Sequence, residues 1–333
     1  MAQDNIYARM RNAVKGVPAG NTYALLNDDG TIGGLGPFKK LYIDAVNGVD
    51  TNAGKSPANA VKTLDTLYGL LTAGKNDTGV VIGDGSTTQS VRLSAAFNFN
   101  KNATNLVGIA SQSLFSPRAR ITTVAAAAAV PLFFTVSSDG SSFENIDFYH
   151  GYTSDGAGQI CMSVAGNRNV FSRCHFGGIT KLDDANARVL KITGQENLFE
   201  DCVIGLDTVI RTNVASASIE FASGAARNVF RRCIFPMNTA GANVLHIYGA
   251  AASCIDKMNI FEDCTFYNVG SATQTALATL PASAGGVLLF KNCFIGPKIT
   301  GYGTDANTRG QVWTIAPVAT TTTSSVIAVA PAA

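Results

Sequence analysis

The sequence predicts an all-β fold: a right-handed single-stranded parallel β-helix with a short N-terminal capping helix and extended terminal arms. Three observations lead there. A Phe-x-x-Cys unit recurs at a nearly constant period, strand-like alternation surrounds each copy, and small turn-forming residues are abundant.

The repeat carries most of the argument. Its copies begin Asn169-Val-Phe171, Asn197-Leu-Phe199, Asn228-Val-Phe230, Asn259-Ile-Phe261 and Leu288-Leu-Phe290. Each continues to a cysteine three residues after the Phe: Cys174, Cys202, Cys233, Cys264 and Cys293. A degenerate earlier copy runs from Phe143 to Phe148. From Phe143 to Phe290 the leading Phe recurs in steps of 28, 28, 31, 31 and 29 residues.

Parity sets the local geometry. Counting the Phe as position 0, Cys at +3 and the apolar residue at +5 share one strand face. Phe has the opposite parity, so a bend at +1 and +2 is needed for all three to point inward. A further strand precedes each unit, as in Leu132–Val136, Val189–Ile192, Ile219–Phe221 and Val244–Tyr248. Stacked coils lie about 4.8 Å apart, so equivalent residues should stack on their own kind. This predicts a core ladder of Phe171, Phe199, Phe230, Phe261 and Phe290 with the five cysteines. It also predicts an amide ladder of Asn169, Asn197, Asn228 and Asn259 along a turn.

The corner residues alternate in charge from coil to coil: Arg173, Glu200/Asp201, Arg231/Arg232, Glu262/Asp263 and Lys291. Opposite charges at strand spacing favour stacking, so we expect an exposed ion ladder. The ladder cysteines read as small buried hydrophobes. Cys161 and Cys254 fall outside the pattern.

Composition narrows the function classes. Of 333 residues, 14% are charged and the net charge is +2, which argues against a nucleic-acid partner. The N-terminus lacks the pattern of a signal peptide, and the apolar run at Ala125–Val130 is too short to span a bilayer. A soluble protein made in a cytoplasm is the expectation. No C-x-x-C pair, nucleophile elbow or phosphate loop is present. Three histidines (His150, His175, His246) lack a nearby partner in sequence. Asp183-Asp184 and the pair Asp207/Arg211 are the best carboxylate candidates, and both read as solvated turns. We therefore expect no catalytic residues, metal or cofactor.

The stretch Leu41-Tyr-Ile-Asp44 through Gly48, Asp50, Asn52, Gly54 and Ser56-Pro57 to Leu64 resembles the opening element of bacterial and phage right-handed β-helix proteins of the pectate-lyase-like superfamily. The resemblance covers residues 41–300. It implies a capping helix near 57–71, led by Ser56-Pro57, and a first coil strand at Gly79-Val-Val-Ile. Residues 1–40 then form an arm, in which Ile6, Met10 and Val14 suit an amphipathic helix. Residues 301–333 form an extended tail, uncharged from Gly310 onward.

The same opening serves polysaccharide-degrading enzymes, tailspikes and passive virion proteins, so fold alone does not choose among them. Sparse acidic chemistry favours a non-enzymatic structural protein of a tailed-phage virion, one that decorates or stabilises the head. Its partners would be other virion proteins, or its own copies in a homotrimer. A tailspike or receptor-binding protein that binds or cleaves host polysaccharide is the alternative. Neither reading involves nucleic acid or membrane.

Overall fold

The computed structural model describes residues 31–32, 36–83, 85, 89–110, 113, 115–117, 119–124, 130–151, 159–178, 187–212, 216–303, 306–315 and 328–329. Three sheets of 11, 9 and 7 strands run the length of the molecule, parallel except for the last strand of the first, Ala328–Val329, and a small antiparallel pair, Thr31–Ile32 with Gly36–Pro37, precedes them. Each complete coil contributes one strand to each sheet, and incomplete coils at the two ends lengthen the first two, so the chain is a right-handed parallel β-helix with one continuous core. The expected helix over residues 6–14 and the pair Asp183-Asp184 lie outside the described residues.

The first sheet holds the Phe column. Phe143, Phe171, Phe199, Phe230, Phe261 and Phe290 pair in unbroken register. Their ring centroids are 4.7–4.9 Å apart and the rings lie within 9° of parallel. That separation is the strand spacing itself, so the rings stack without distorting the backbone. Each stacked pair adds about 0.5–1.5 kcal/mol beyond its buried area. Residues at +5 form a second inward row, with Phe148 stacked on Phe176 and Phe235 on Phe266.

The corner between these rows is tighter than a two-residue bend. Position +1 stays in the strand, where Ser172, Glu200, Arg231, Glu262 and Lys291 are paired. Position +2 alone turns the chain. Arg173, Asp201, Arg232, Asp263 and Asn292 all adopt the left-handed conformation, with φ between 50° and 54°. Such a residue reverses side-chain parity in one step. Its cost is about 1–2 kcal/mol for a non-glycine residue, and hydrogen bonds at the adjacent cysteine help to offset it. The Cys thiol at +3 reaches two carbonyls at 3.3–3.5 Å, one at +1 of its own coil and one of the Phe below. A side chain that is both small and a weak donor fits here, which is a physical reason for cysteine.

At the opposite turn, asparagines two residues before the Phe form a chain of hydrogen bonds. The backbone N–H groups of Asn169, Asn197 and Asn228 donate to Oδ1 of the next Asn at 2.9–3.0 Å. Their Nδ2 groups donate to Ser138, Gly166 and Gly194 carbonyls, and that of Asn259 to Ala225. All four asparagines are buried. Glycine is required where these turns nest: a Cβ on Gly194 would lie 2.0 Å from the Gly166 carbonyl oxygen.

The N-terminal cap differs from the expected single helix. Pro57–Asn59 forms one 3-10 turn, and the α-helix spans Leu64–Leu70 with Thr63, not Ser56, as its N-cap. The opening motif explains the break. Asp50 Oδ1 accepts the backbone N–H groups of Lys62 and Thr63 at 2.9 and 2.8 Å, and Val61 bridges to Ile43. Asp44 Oδ1 accepts N–H groups from Val46 and Asn47 and the amide of Gln89. A Cβ at Gly48 would fall 2.2 Å from the Val61 carbonyl oxygen. The spaced Asp, Gly and Asn residues thus clamp the cap through backbone donors. The first strand of the solenoid is Lys40–Ile43, which precedes and pairs with Thr78–Ile82.

Beyond residue 300 the chain is not wholly extended. Ala306–Gln311 is helical, and Val312–Ile315 adds a parallel strand beside Leu288–Lys291. The hydroxyl of Thr308 accepts from the Leu280 N–H at 2.8 Å and ties this helix to the solenoid.

Candidate functional site

Two ladders of charge run along the exterior. At the corner, Arg231 sits between Glu200 (3.4 Å) and Glu262 (2.9 Å), Arg232 pairs with Asp201 (2.7 Å), and Lys291 with Glu262 (2.5 Å). Arg173 pairs back to Glu144, a residue at +1 of the degenerate coil. A second ladder lies three residues before the Phe, where Glu196 bridges Arg168 (2.7 Å) and Arg227 (3.1 Å). Sequence reasoning missed this second ladder, although its alternating signs are visible once the repeat is aligned. Arg168, Arg227 and Arg232 are exposed, Glu200 is buried and the others are half-buried; the solvent-facing pairs contribute little.

The outward face of the second sheet carries a denser cluster. Arg120, Asp147 and His175 occupy equivalent positions in three successive coils. Asp147 is fully buried. Its Oδ2 accepts from Arg120 Nε at 2.5 Å and from the Ser116 hydroxyl at 3.3 Å, while Oδ1 faces His175 Nδ1 at 2.9 Å. His175 Nε2 faces the Gly205 carbonyl at 3.1 Å. Both ring nitrogens therefore meet oxygen acceptors, and a neutral ring can satisfy only one of them. The Arg120 guanidinium lies 4.8 Å over the Tyr149 ring. At the outer edge Arg92 is exposed one coil earlier and reaches the Thr123 carbonyl at 3.3 Å.

This constellation contains Ser, His and Asp but not the geometry of nucleophilic catalysis. The Ser116 hydroxyl contacts the carboxylate and Arg120 Nη2, and the imidazole is engaged elsewhere. A triad needs the hydroxyl on the imidazole. Nor does a second carboxylate join Asp147 in the cluster among the described residues. What the arrangement supplies is a fixed cationic and aromatic edge, held by the Arg120–Asp147 ion pair and by hydrogen bonds that reach across three coils.

Other candidates separate. Asp207 accepts the Tyr267 hydroxyl at 3.0 Å, and burial with this carboxylate pushes the phenol up to about 12. Arg211 does not pair with Asp207; it is buried elsewhere. His150 Nε2 meets the Val130 carbonyl at 2.8 Å, and burial pushes the ring down. Cys161 Sγ lies 3.2 Å from the Phe148 carbonyl, and its burial raises the thiol to about 12. Cys254 is buried and free. Among the described residues no group of His, Cys, Asp and Glu has the spacing to hold a metal ion. No helix among them is long and apolar enough to cross a membrane.

No protein-family model and no curated protein sequence matches this chain. Solved structures do. A pectin methylesterase from Aspergillus niger superposes with a TM-score of 0.53 at 16% identity, covering 84% of this chain and 82% of the other. The pectin methylesterase PemA from Erwinia chrysanthemi gives 0.52 at 13% identity, covering 80% and 82%. A rhamnogalacturonan lyase gives 0.50 at 13% identity, covering 77% and 68%. At these identities the likeness is one of fold.

Proposed function

We propose that this chain is a polysaccharide-binding solenoid of the receptor-binding kind, carried on a tailed-phage particle, which holds its glycan without cleaving it. One observation carries the reading. The outward face of the second sheet presents Arg92, Arg120 and Tyr149 at successive rungs, while the carboxylate among them, Asp147, is buried and fully engaged. Cations and an aromatic ring without a free acid or base suit retention of an acidic sugar chain. Pectin methylesterases and a rhamnogalacturonan lyase share the fold, which supports a polysaccharide as the ligand class. The resemblance of the opening element supports the particle setting.

Titration calorimetry with polygalacturonate and with neutral dextran tests this. Saturable, salt-sensitive binding to the acidic polymer is expected, weakened by Arg92→Ala and by Tyr149→Ala, with polymer length unchanged by mass spectrometry. Absence of binding overturns the ligand class. Shortened polymer overturns the non-catalytic part.

A second reading, a head-decorating or head-stabilising subunit, is favoured by the exposed apolar side chains Val269, Phe294, Trp313 and Ile315 in the last coils. Solenoid ends need cover, and a partner subunit would supply it. Electron microscopy of intact particles separates the two by placing the chain on the head or at the tail tip.

A further inference from the structure

The corner between the second and third sheets holds an interior column whose chemistry changes along the solenoid. Its successive members are Phe133, Cys161, Val189, Ser218 and His246, flanked by paired residues at each step. All five are fully buried. The first three belong to the continuous apolar core, and the last two do not.

Arg211 lies beside this polar end. It closes the short strand Ile210–Arg211, which pairs with Asn238–Thr239, and it has no exposed surface. Its three guanidinium nitrogens find no partner among the described residues. The same holds for both ring nitrogens of His246, Ser218 Oγ and Gln274 Oε1. Gln274 is fixed by donating Nε2 to the Val244 carbonyl at 2.7 Å. The neighbouring Arg188 is already matched by Glu220 at 2.7 Å. Burial, and then the Arg211 charge, push His246 down to about 3 against the opposing effect of the nearby Gln274 side chain, so its ring is neutral and carries one N–H.

A guanidinium keeps its charge at ordinary pH. No carboxylate pairs with it among the described residues, and a guanidinium enclosed in protein without a counter-charge is strongly unfavourable. The groups around it are mostly donors: five guanidinium N–H bonds, a hydroxyl and an imidazole N–H. Such a lining suits an anion, and full enclosure by side chains favours a small one over a phosphate or a sugar acid.

We propose that Arg211, Ser218 and His246, closed off by Gln274, form an internal binding site for a small monovalent anion of the halide class. This site lies inside the solenoid and is independent of the outward face that binds glycan in our functional reading. The ion supplies the counter-charge that Arg211 lacks among the described residues and locks three late coils together.

Crystals of the full chain soaked in bromide provide the direct test. An anomalous peak within hydrogen-bond reach of the Arg211 guanidinium is expected. In parallel, melting is followed in chloride against gluconate at constant ionic strength. The melting temperature should rise about 2–4 °C per tenfold increase in chloride, and Arg211→Met should abolish that dependence. A bromide map without a peak there overturns the proposal, as does identical melting of the native chain in the two salts. Should the variant fail to fold, those two measurements on the native protein still decide.

Discussion

Replacing Asn228 with alanine removes an inner rung of the amide column, and its cost can be worked from the contacts. Asn228 Oδ1 accepts the Asn197 backbone N–H at 3.0 Å, and its Nδ2 donates to the Gly194 carbonyl at 3.1 Å. Both partners would be left buried and unsatisfied. At about 1–3 kcal/mol for each orphaned group, the loss is about 2–6 kcal/mol. Asn197 Nδ2 retains the Gly166 carbonyl, so it adds little. Urea unfolding followed by circular dichroism measures the total. Hydrogen exchange locates it: coils contact only their neighbours, so protection should fall first at Leu198–Glu200 and Val229–Arg231. Asn228→Asp is a sharper control. It keeps the acceptor for Asn197 but turns a carboxylate toward the Gly194 carbonyl and Asn259 Oδ1. That placement raises the introduced acid, so its variant is most stable at low pH and loses stability as pH rises. A cost below about 1 kcal/mol for alanine would refute the reasoning, as would exchange that quickens evenly along the chain.

Other outcomes are equally specific. Phe230→Ala empties one ring from the column and should cost about 3–5 kcal/mol in chemical unfolding. Phe294→Ala, at a side chain 59% exposed, should stay within about 0.5 kcal/mol; equal costs would mean that stacking is not what holds the coils. Iodoacetamide at pH 8 should label Cys293 first on access alone, since its thiol too is raised, by its hydrogen bond with Cys264 and by burial, whereas Cys202, Cys233 and Cys264 are buried and stay protected until unfolding. Early labelling of Cys233 would contradict the packed column. Acid sensitivity follows from His150 and His246, both pushed below 6.5 by burial, His246 to about 3. The unfolded chain takes up protons that the folded chain refuses, so stability is whole above about pH 6.5 and falls toward pH 3. Melting scans across that range should show the decline, with a shallower slope for His246→Gln; an unchanged slope would exclude His246 as a contributor.

The fold was legible because a solenoid repeats its inward residues. Phe171 and Cys174 recur with their neighbours intact, and in-register stacking makes each copy predict the next. The corner was legible in part. Charge alternation is written in the residues, but nothing in Arg173 or Arg232 announces a left-handed backbone, which tertiary pairing imposes. The cap was harder, because the clamp by Asp44 and Asp50 acts across more than ten residues of chain and splits a helix that local spacing would join. The outward cluster escaped for a related reason. His175 finds Asp147 28 residues earlier, and Arg120 belongs to a coil without the Phe-x-x-Cys unit. Sequence proximity suggests a surface pair of Arg211 with Asp207, yet an arginine four residues from an aspartate says nothing about which way the strand between them faces.

One spacing never varies. Five residues separate Phe143 from Phe148, Phe171 from Phe176, Phe199 from Ile204, Phe230 from Phe235, Phe261 from Phe266 and Phe290 from Ile295. All drift in coil length, from 28 to 31 residues, is absorbed on the other two edges of the triangle. A single residue added inside that interval would throw the cysteine or the ring outward, whereas the stretch between Ile204 and Ala217 has already accommodated extra chain. The molecule is thus a scaffold with one calibrated edge and two permissive ones. Grafted loops, epitopes or tags belong on the permissive edges, and new coils can be spliced in whole provided that the calibrated edge is copied unchanged.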